Sequence, residues 1–508
     1  MTSLTTSESS VVVDVKGAAI AALKRGMTDE AVRAALVVEY ESHDGNHAKD
    51  VDTLMTEAAE AANAPLFHHT QVGNAERLVA QYGSDFRYVS EYGFYVVWDE
   101  KRWAADARGS AMERLAKCVV KSMYAEAAKI DDDATRQKLV AWARTSENRT
   151  PLTAMVHLSR SEKGQEVSTS MFDTDPDVLN CLNGTVDLRT GMLKKHERAD
   201  LITKICPVEY DESATAPVFQ AFLDKIMAGS TDLIEYLQRA AGYTATGRTS
   251  EEVLFMPNGG GRNGKSRFLG ALTHVLGDYA TPTRSDTLLA GHREIPNDIA
   301  ALKGARYVPV IEVEEGKQLA ESLVKSMTGN DVMTARFLHQ EFFNFRPAFK
   351  LWIATNHRPE IIGTDLAIWS RIQLIPFTVT IPPEEIDKNL ASKLEAEASG
   401  ILRWVVEGAR KWYKQGLRQP DAINVATQSY REESDQMSHF LSERCVVTPE
   451  ARATAGALFK AYQGWCEASG EQPLSQKRFA GRLKDSGYRD GRDNKGNRAW
   501  FGVGLLVA

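Results

Sequence analysis

The run VLFMPNGGGRNGKSRFLGALTHVLG, residues 253–277, constrains the fold more than any other part of the chain. Its apolar opening, Val253–Pro257, reads as a buried strand, and the stretch from Lys265 has helical periodicity. A glycine-rich turn thus lies between strand and helix, with the Walker A spacing Gly259-x4-Gly264-Lys265-Ser266. Glycines let successive backbone N–H groups face one anion, and the helix N-terminus adds partial positive charge. The expected cradle is Gly259, Gly260, Gly261, Arg262, Asn263, Gly264, Lys265, Ser266 and Arg267, with ATP as the ligand. Lys265 would reach the β- and γ-phosphates, and Ser266 would ligate Mg²⁺. The loop alone names no reaction, because kinases, GTPases, transporters and helicases share it.

Strand-like and helix-like runs alternate from this loop to about residue 380, as in an α/β domain with a parallel sheet. RYVPVIEVEEGK, residues 306–317, is an apolar run ending in Glu314 and Glu315. One glutamate can hold the metal while the other orients the attacking water, and the order of roles stays open. Glu312 lies on the same strand face as Glu314 and competes for either role. Pro309 inside the run is awkward for a central strand. FKLWIATNHRP, residues 349–359, is a strand ending at Asn356, a candidate for contact with the γ-phosphate or the lytic water. Such a residue needs a strand beside the phosphate loop; read alone, it is a turn residue. In DLAIWSRIQLIPF, residues 365–377, Arg371 could neutralise charge on the γ-phosphate of a neighbouring subunit. Read alone, it is a surface ion-pair partner.

Composition narrows the setting. The net charge of −7 gives no global basic surface, so any nucleic-acid contact must be local. The five cysteines are scattered and form no CxxC pair, which disfavours a disulfide framework or zinc site. The stretch MTSLTTSESSVVVDV lacks the basic start and long apolar run expected of a signal peptide, and no apolar run approaches the ~18 residues of a membrane span. The expectation is a cytoplasmic protein that meets no membrane.

Together, residues 259–266, EEGK, ATN and RIQLIPF fall within about 120 residues. This set resembles superfamily 3 helicases, the viral and plasmid replication helicases of the AAA+ class. GNAERLVAQYG, FDTDPDVLNCLNGTVDLRTG, LITKICPVEYD and TARFLHQEFFNFRPAFKLWIATNHRP are similar to the phage and plasmid branch related to poxvirus and satellite-phage primase–helicases. The resemblance covers about residues 70–508. It implies a multidomain α/β chain with an AAA+ phosphate-loop core, a homo-hexameric ring, 3′-to-5′ translocation on single-stranded DNA and unwinding of forked DNA. It also implies a channel hairpin, placed at Val332–Pro347, whose Arg336 and His339 grip the DNA backbone. Many relatives carry Arg-Arg where this chain has Ser370-Arg371, leaving one candidate finger. No strand-rich N-terminal domain with a DxD pair and a downstream histidine marks a primase, so the expectation is a helicase served by a separate primase or polymerase in a bacterial host cell.

The expected domains are a helical N-terminal segment (1–62), an α+β collar (63–240), the motor (241–383), a helical lid or linker (384–430) and a C-terminal module (431–508). Between Glu471 and Trp500 there are eight Lys or Arg against four acids. A helix with basic residues on one side, followed by a basic hairpin, resembles a winged helix, with Lys477, Arg478 and Arg482 as DNA contacts. The competing expectation is an ATP-switched origin-binding initiator or loader that does not unwind processively.

Overall fold

The computed structural model describes residues 67–290, 296–311, 316–337, 341–361, 366–470 and 473–506. The segment 1–62, the glutamates Glu312, Glu314 and Glu315, and His339 lie outside the described residues. The chain divides into two compact units, one with described residues 67–97 and 105–169, the other with 98–104 and 170–506.

In the first unit, Thr70 caps helix α1 (Gln71–Tyr82) by accepting from Gly73 N at 3.0 Å. Strand β1 (Phe86–Val89) pairs antiparallel with β2 (Phe94–Trp98). Helices α2 (Ser110–Ala127), α3 (Asp133–Ser146) and α4 (Arg149–Ser159) follow. Leu78, Phe86, Met112, Val119, Met123, Leu139 and Met155 form one core. Beside it, buried Asn74 donates to Ser146 Oγ and accepts from Trp142 Nε1, both at 2.9 Å, so its amide is satisfied at both ends.

The second unit is a mixed α/β layer structure around a parallel sheet. A meander of β3 (Val178–Cys181), β4 (Gly184–Asp187) and β5 (Leu193–Lys194) leads into helices α5 (Pro217–Ile226) and α6 (Thr231–Ala245). The central strands are β6 (Leu254–Asn258), β7 (Tyr307–Ile311), β10 (Lys350–Ala354) and β11 (Ile372–Pro376). Between the second and third of these, β8 (Met333–Ala335) and β9 (Phe343–Phe345) form an antiparallel hairpin. Across the sheet the order is β11-β6-β10-β7, all parallel. Residues 280–283 extend it beyond β7 through parallel bridges Ala280–Tyr307 and Thr283–Val310. Pro309 is accommodated on that outer side. Its carbonyl accepts from Thr283 N at 3.1 Å, and the N and C=O of one strand residue share an edge, so the missing donor faces the sparsely bridged segment.

One of the expected limits falls inside an element. The collar limit at residue 240 falls inside α6, whose Leu237, Ala241 and Tyr243 share a core with Leu179, Phe255, Phe268 and Trp352. No break can fall there, because the helix packs on the sheet and on α11 (Ala398–Gln415). Within the expected lid or linker, residues 417 and 418 are tied to α6. Buried Arg239 donates to Leu417 O at 2.8 Å and to Arg418 O at 3.2 Å. Helix α12 (Asp421–Glu433) then lies along β11, where Thr427 Oγ1 accepts from Leu374 N at 3.2 Å and caps an edge-strand donor.

The α6–α11 crossing is backbone on backbone. A Cβ at Gly242 would lie 1.9 Å from Ala409 N, and one at Gly408 would lie 1.9 Å from Gln238 O. Glycine in a helix interior costs stability relative to alanine, so its presence on both helices reflects this approach. Gly408→Val is expected to destabilise the second unit by about 3 kcal/mol or more, because main chain cannot rotate out of the way. Thermal unfolding checks this; an unshifted transition would mean that the helices separate freely.

The C-terminal portion runs α13 (Gln436–Arg444), β12 (Cys445–Val446), β13 (Arg452–Thr454), α14 (Ala455–Ser469), α15 (Gln476–Asp485), β14 (Arg489–Arg492), β15 (Arg498–Phe501) and β16 (Gly504–Leu505). Strand β15 pairs with both β13 and β14, and Phe440, Leu458, Tyr462, Phe479, Leu483 and Trp500 fill the core.

Candidate nucleotide site and nucleic-acid surface

The phosphate-loop run folds as its sequence predicts. Strand β6 ends at Asn258 and helix α7 (Lys265–Leu276) begins at Lys265. The glycines divide by role. Gly264 adopts φ 84°, and a Cβ there would meet Ile226 Cγ2 at 2.5 Å. A Cβ on Gly259 would lie 2.1 Å from Phe377 O. A Cβ on Gly260 or Gly261 would meet nothing, so the space above that backbone is open. The segment after β11 braces the loop from beneath: Phe377 O accepts from Asn263 Nδ2 at 3.3 Å, and Ile381 N donates to Arg262 O at 2.8 Å. Ser266 and Arg267 are exposed on the first turn of α7.

Lys265 is only 6% exposed. Its ammonium donates to Gly259 O at 2.6 Å and, at 3.1 Å each, to Gly260 O, Asn263 Oδ1 and Asn356 Oδ1. Burial away from water pushes its pKa down to about 8. Asn356, distant in sequence, is therefore in contact with the phosphate-loop lysine. It gets there because β10 lies next to β6, with Trp352 opposite Phe255 and Thr355 bridged to Asn258. On the far side of β10, Ile311 pairs with Ala354, so β7 ends at the same sheet edge as Asn356.

Arg371 lies elsewhere. It precedes β11, and its carbonyl accepts from Leu254 N at 2.7 Å, at the start of β6. The five residues of β11, at ~3.3 Å each, put roughly 16 Å between it and the edge that carries the phosphate loop. Its side chain, 17% exposed, pairs with Glu252 at 2.8 Å and donates to Thr328 Oγ1 at 3.2 Å and Ala367 O at 2.6 Å.

The β8–β9 hairpin carries Arg336 just past β8, exposed, with its guanidinium 4.8 Å from the ring centre of Phe342. Phe342 is 58% exposed, and Phe337 stacks on Phe343 behind it. On α15, Lys477 and Arg478 are exposed, whereas Arg482 is half-buried. Arg482 lines a cavity of about 320 Å³ together with Arg358, Glu360 and Tyr430. The expected common basic face is thus split: Phe479 and Leu483 turn inward, and Arg482 follows them toward the interior side.

Sequence reasoning passed over Arg358. Its Nε donates to Asn258 Oδ1 at 3.4 Å and its Nη1 to Glu433 Oε2 at 2.6 Å. Its position two residues beyond Asn356 was the only signal available.

Similarity to known proteins agrees with the replication theme. Residues 75–228 match the family model described as D5 N terminal like, and residues 432–499 match Poxvirus D5 protein-like. Among individual proteins, the chain is 26% identical over 436 residues to "Putative helicase L207/L206" of Acanthamoeba polyphaga mimivirus, covering 78% of this chain and 44% of that protein. It is 25% identical over 259 residues to "Putative helicase 022R" of Frog virus 3, covering 46% and 26%. It is 26% identical over 331 residues to "Putative primase C962R" of African swine fever virus, covering 59% and 34%. The chain spans less than half the length of each of these relatives. Among solved structures, the C-terminal region of NrS-1 matches with a TM-score of 0.46 at 9% identity, over 85% of this chain and 99% of that one. Among the described residues, no helix is long and apolar enough to cross a membrane.

Proposed function

We propose that this chain is an ATP-driven DNA helicase of the superfamily 3, AAA+ type, working as a homo-hexameric ring on single-stranded and forked DNA during replication. The observation that carries this is the 3.1 Å contact between Lys265 Nζ and Asn356 Oδ1, made by placing the asparagine strand between the phosphate-loop strand and β7. The loop fits a triphosphate chemically. The space over Gly260 and Gly261 is open, a buried ammonium already sits among oxygens, and a helix N-terminus points at the same place.

In this reading Lys265 and the loop N–H groups hold the β- and γ-phosphates, and Asn356 orients the γ-phosphate or the attacking water. Ser266 with Glu314 would hold Mg²⁺, which supplies charge neutralisation on the phosphates when bound. Glu314 or Glu315 takes the water proton. Arg371 serves the site of the adjacent copy, since its own phosphate loop is at the other end of the sheet. Arg336 and His339 grip the strand in the channel without reading bases. The C-terminal helix–hairpin fold acts as a winged helix, with Lys477 and Arg478 on phosphates.

A forked duplex with a labelled strand tests this. Strand displacement that requires hydrolysable ATP is expected. ATP-dependent binding without displacement would replace the motor with the initiator or loader alternative. His339→Ala is expected to abolish displacement while basal ATP hydrolysis persists; retained unwinding would remove the hairpin from the mechanism.

A further inference from the structure

The short loop Asn356–Ile361 is bonded to three parts of the second unit at once. At one end Asn356 Oδ1 accepts from Lys265 Nζ at 3.1 Å, and Arg358 Nε donates to Oδ1 of Asn258, the residue directly before Gly259. In the middle, Glu360 N donates to Lys317 O at 2.8 Å and Leu319 N donates to Glu360 O at 2.9 Å, joining the loop to the chain that leaves β7. Toward the C-terminus, Arg358 Nη1 donates to Glu433 Oε2 at 2.6 Å. The Tyr430 hydroxyl donates to Pro359 O, and the Arg358 guanidinium lies 5.5 Å from the Tyr430 ring centre. Tyr430 is buried and meets Trp369 edge-on, so its hydroxyl has a fixed origin.

Glu433 is the last residue of α12, and α13 of the C-terminal module starts at Gln436, with only Ser434 and Asp435 between. A shift of α12 is therefore delivered almost directly to the module. The cavity of about 320 Å³ separates the loop from Met437, Leu474 and Arg482, leaving room for that shift without a clash. The triphosphate would compete with Asn356 for the Lys265 ammonium. A ligand that exchanges this bond favours one loop position over another, which is the differential contact that coupling requires.

We propose that Arg358 and Tyr430 are positioning residues that carry the state of the nucleotide site, through the 356–361 loop and α12, to the C-terminal module. This rests on the phosphate-loop reading above. It predicts that the module responds to nucleotide even when no DNA is present.

Hydrogen exchange of the full chain, with and without a non-hydrolysable ATP analogue, tests it. In the wild-type protein, nucleotide is expected to protect residues 259–266 and to alter exchange across 436–485 by about five-fold or more. Tyr430→Phe, which removes only the hydroxyl, and Arg358→Ala should keep the protection at 259–266 and lose the distant response. The exchanged pair R358E with E433R should restore part of it, as should R358K. Two outcomes overturn the proposal: a distant response that survives in both single variants, or wild-type protection at 259–266 with no change at 436–485. A purely structural role would loosen α12 and α13 equally with and without nucleotide, and would overturn it too. Absence of protection at 259–266 in the wild type would instead remove the phosphate-loop reading, and the proposal with it.

Discussion

Arg371→Ala is expected to lower kcat for ATP hydrolysis by about a thousandfold or more while the ATP dissociation constant stays nearly unchanged. The reason is where the side chain starts. Within one copy it lies at the N-terminal end of β11, and the phosphate loop follows the C-terminal end of the adjacent parallel strand β6. An arginine side chain cannot bridge that span inside one copy. It can act only if a second copy presents its phosphate loop to this edge, as head-to-tail packing in a closed ring would do. In the free chain Arg371 is held by Glu252, which is 52% exposed, by Thr328 Oγ1 and by the Ala367 carbonyl. A partly exposed ion pair of this kind is worth about 1 kcal/mol or less, so releasing it for a γ-phosphate costs little.

Mixing provides the decisive form of the measurement. Arg371→Ala subunits retain Lys265, and Lys265→Ala subunits retain Arg371. In mixed rings some interfaces receive both side chains, one from each copy, and hydrolysis is expected to recover in proportion to those interfaces. Arg371→Lys keeps the charge but loses the planar fork, and should recover little. If mixtures stay inactive although both variants assemble, the shared site is wrong. If Arg371→Ala alone hydrolyses ATP at the wild-type rate, Arg371 is a structural ion-pair partner.

How far the sequence could anticipate this arrangement depended on the range of the interactions involved. The phosphate loop was legible because its causes are local: an apolar strand, glycines where side chains would clash and a helix start within thirteen residues of each other, from Leu254 to Ser266. Asn356 and Arg371 were legible only as members of an ordered set. Arg371 falls at the opposite edge because it precedes its strand in an all-parallel sheet while Asn356 follows its own; the contact of Asn356 with Lys265 needs the strand order, which is a property of non-local pairing. The α6–α11 contact had a signal that was not weighed: Gly242 and Gly408 each interrupt a good helical pattern next to alanines. Lys350 gave another, a cation inside the apolar run FKLWIA. It is fully enclosed, donating to Thr246 O and Arg248 O beyond the C-terminus of α6 and to Ala348 O just before its own strand, and burial pushes its pKa well down. The place of Arg482 beside Arg358 and Tyr430 was not legible, because helical periodicity separates inside from outside within one module and carries no information about what the module packs against.

Lys265→Ala is expected to cut ATP hydrolysis by between about a hundredfold and a thousandfold, the scale for removing one preorganised charge from a phosphate site. Its dependence on pH separates this lysine from an incidental one. The ammonium titrates at about 8 in the folded chain, against about 10.4 for an unfolded lysine. Between those values the folded form has shed its proton while the unfolded form keeps it. The unfolded state therefore binds more protons, and this group makes stability rise with pH across that window; below pH 8 both states are charged and the cost of burial is carried in full. Nucleotide binding runs the other way. The phosphates favour the charged form, so above pH 8 the lysine must take up a proton as ATP binds, and affinity should weaken by up to about tenfold per pH unit. Titration calorimetry near pH 8.5, in two buffers with different ionisation heats, should show uptake of a fraction of a proton per ATP in the wild-type chain and none in Lys265→Met. Equal heats in the two buffers for the wild type would mean that the ammonium stays charged in the free loop, and that the oxygens of Gly259, Gly260, Asn263 and Asn356 outweigh its loss of hydration.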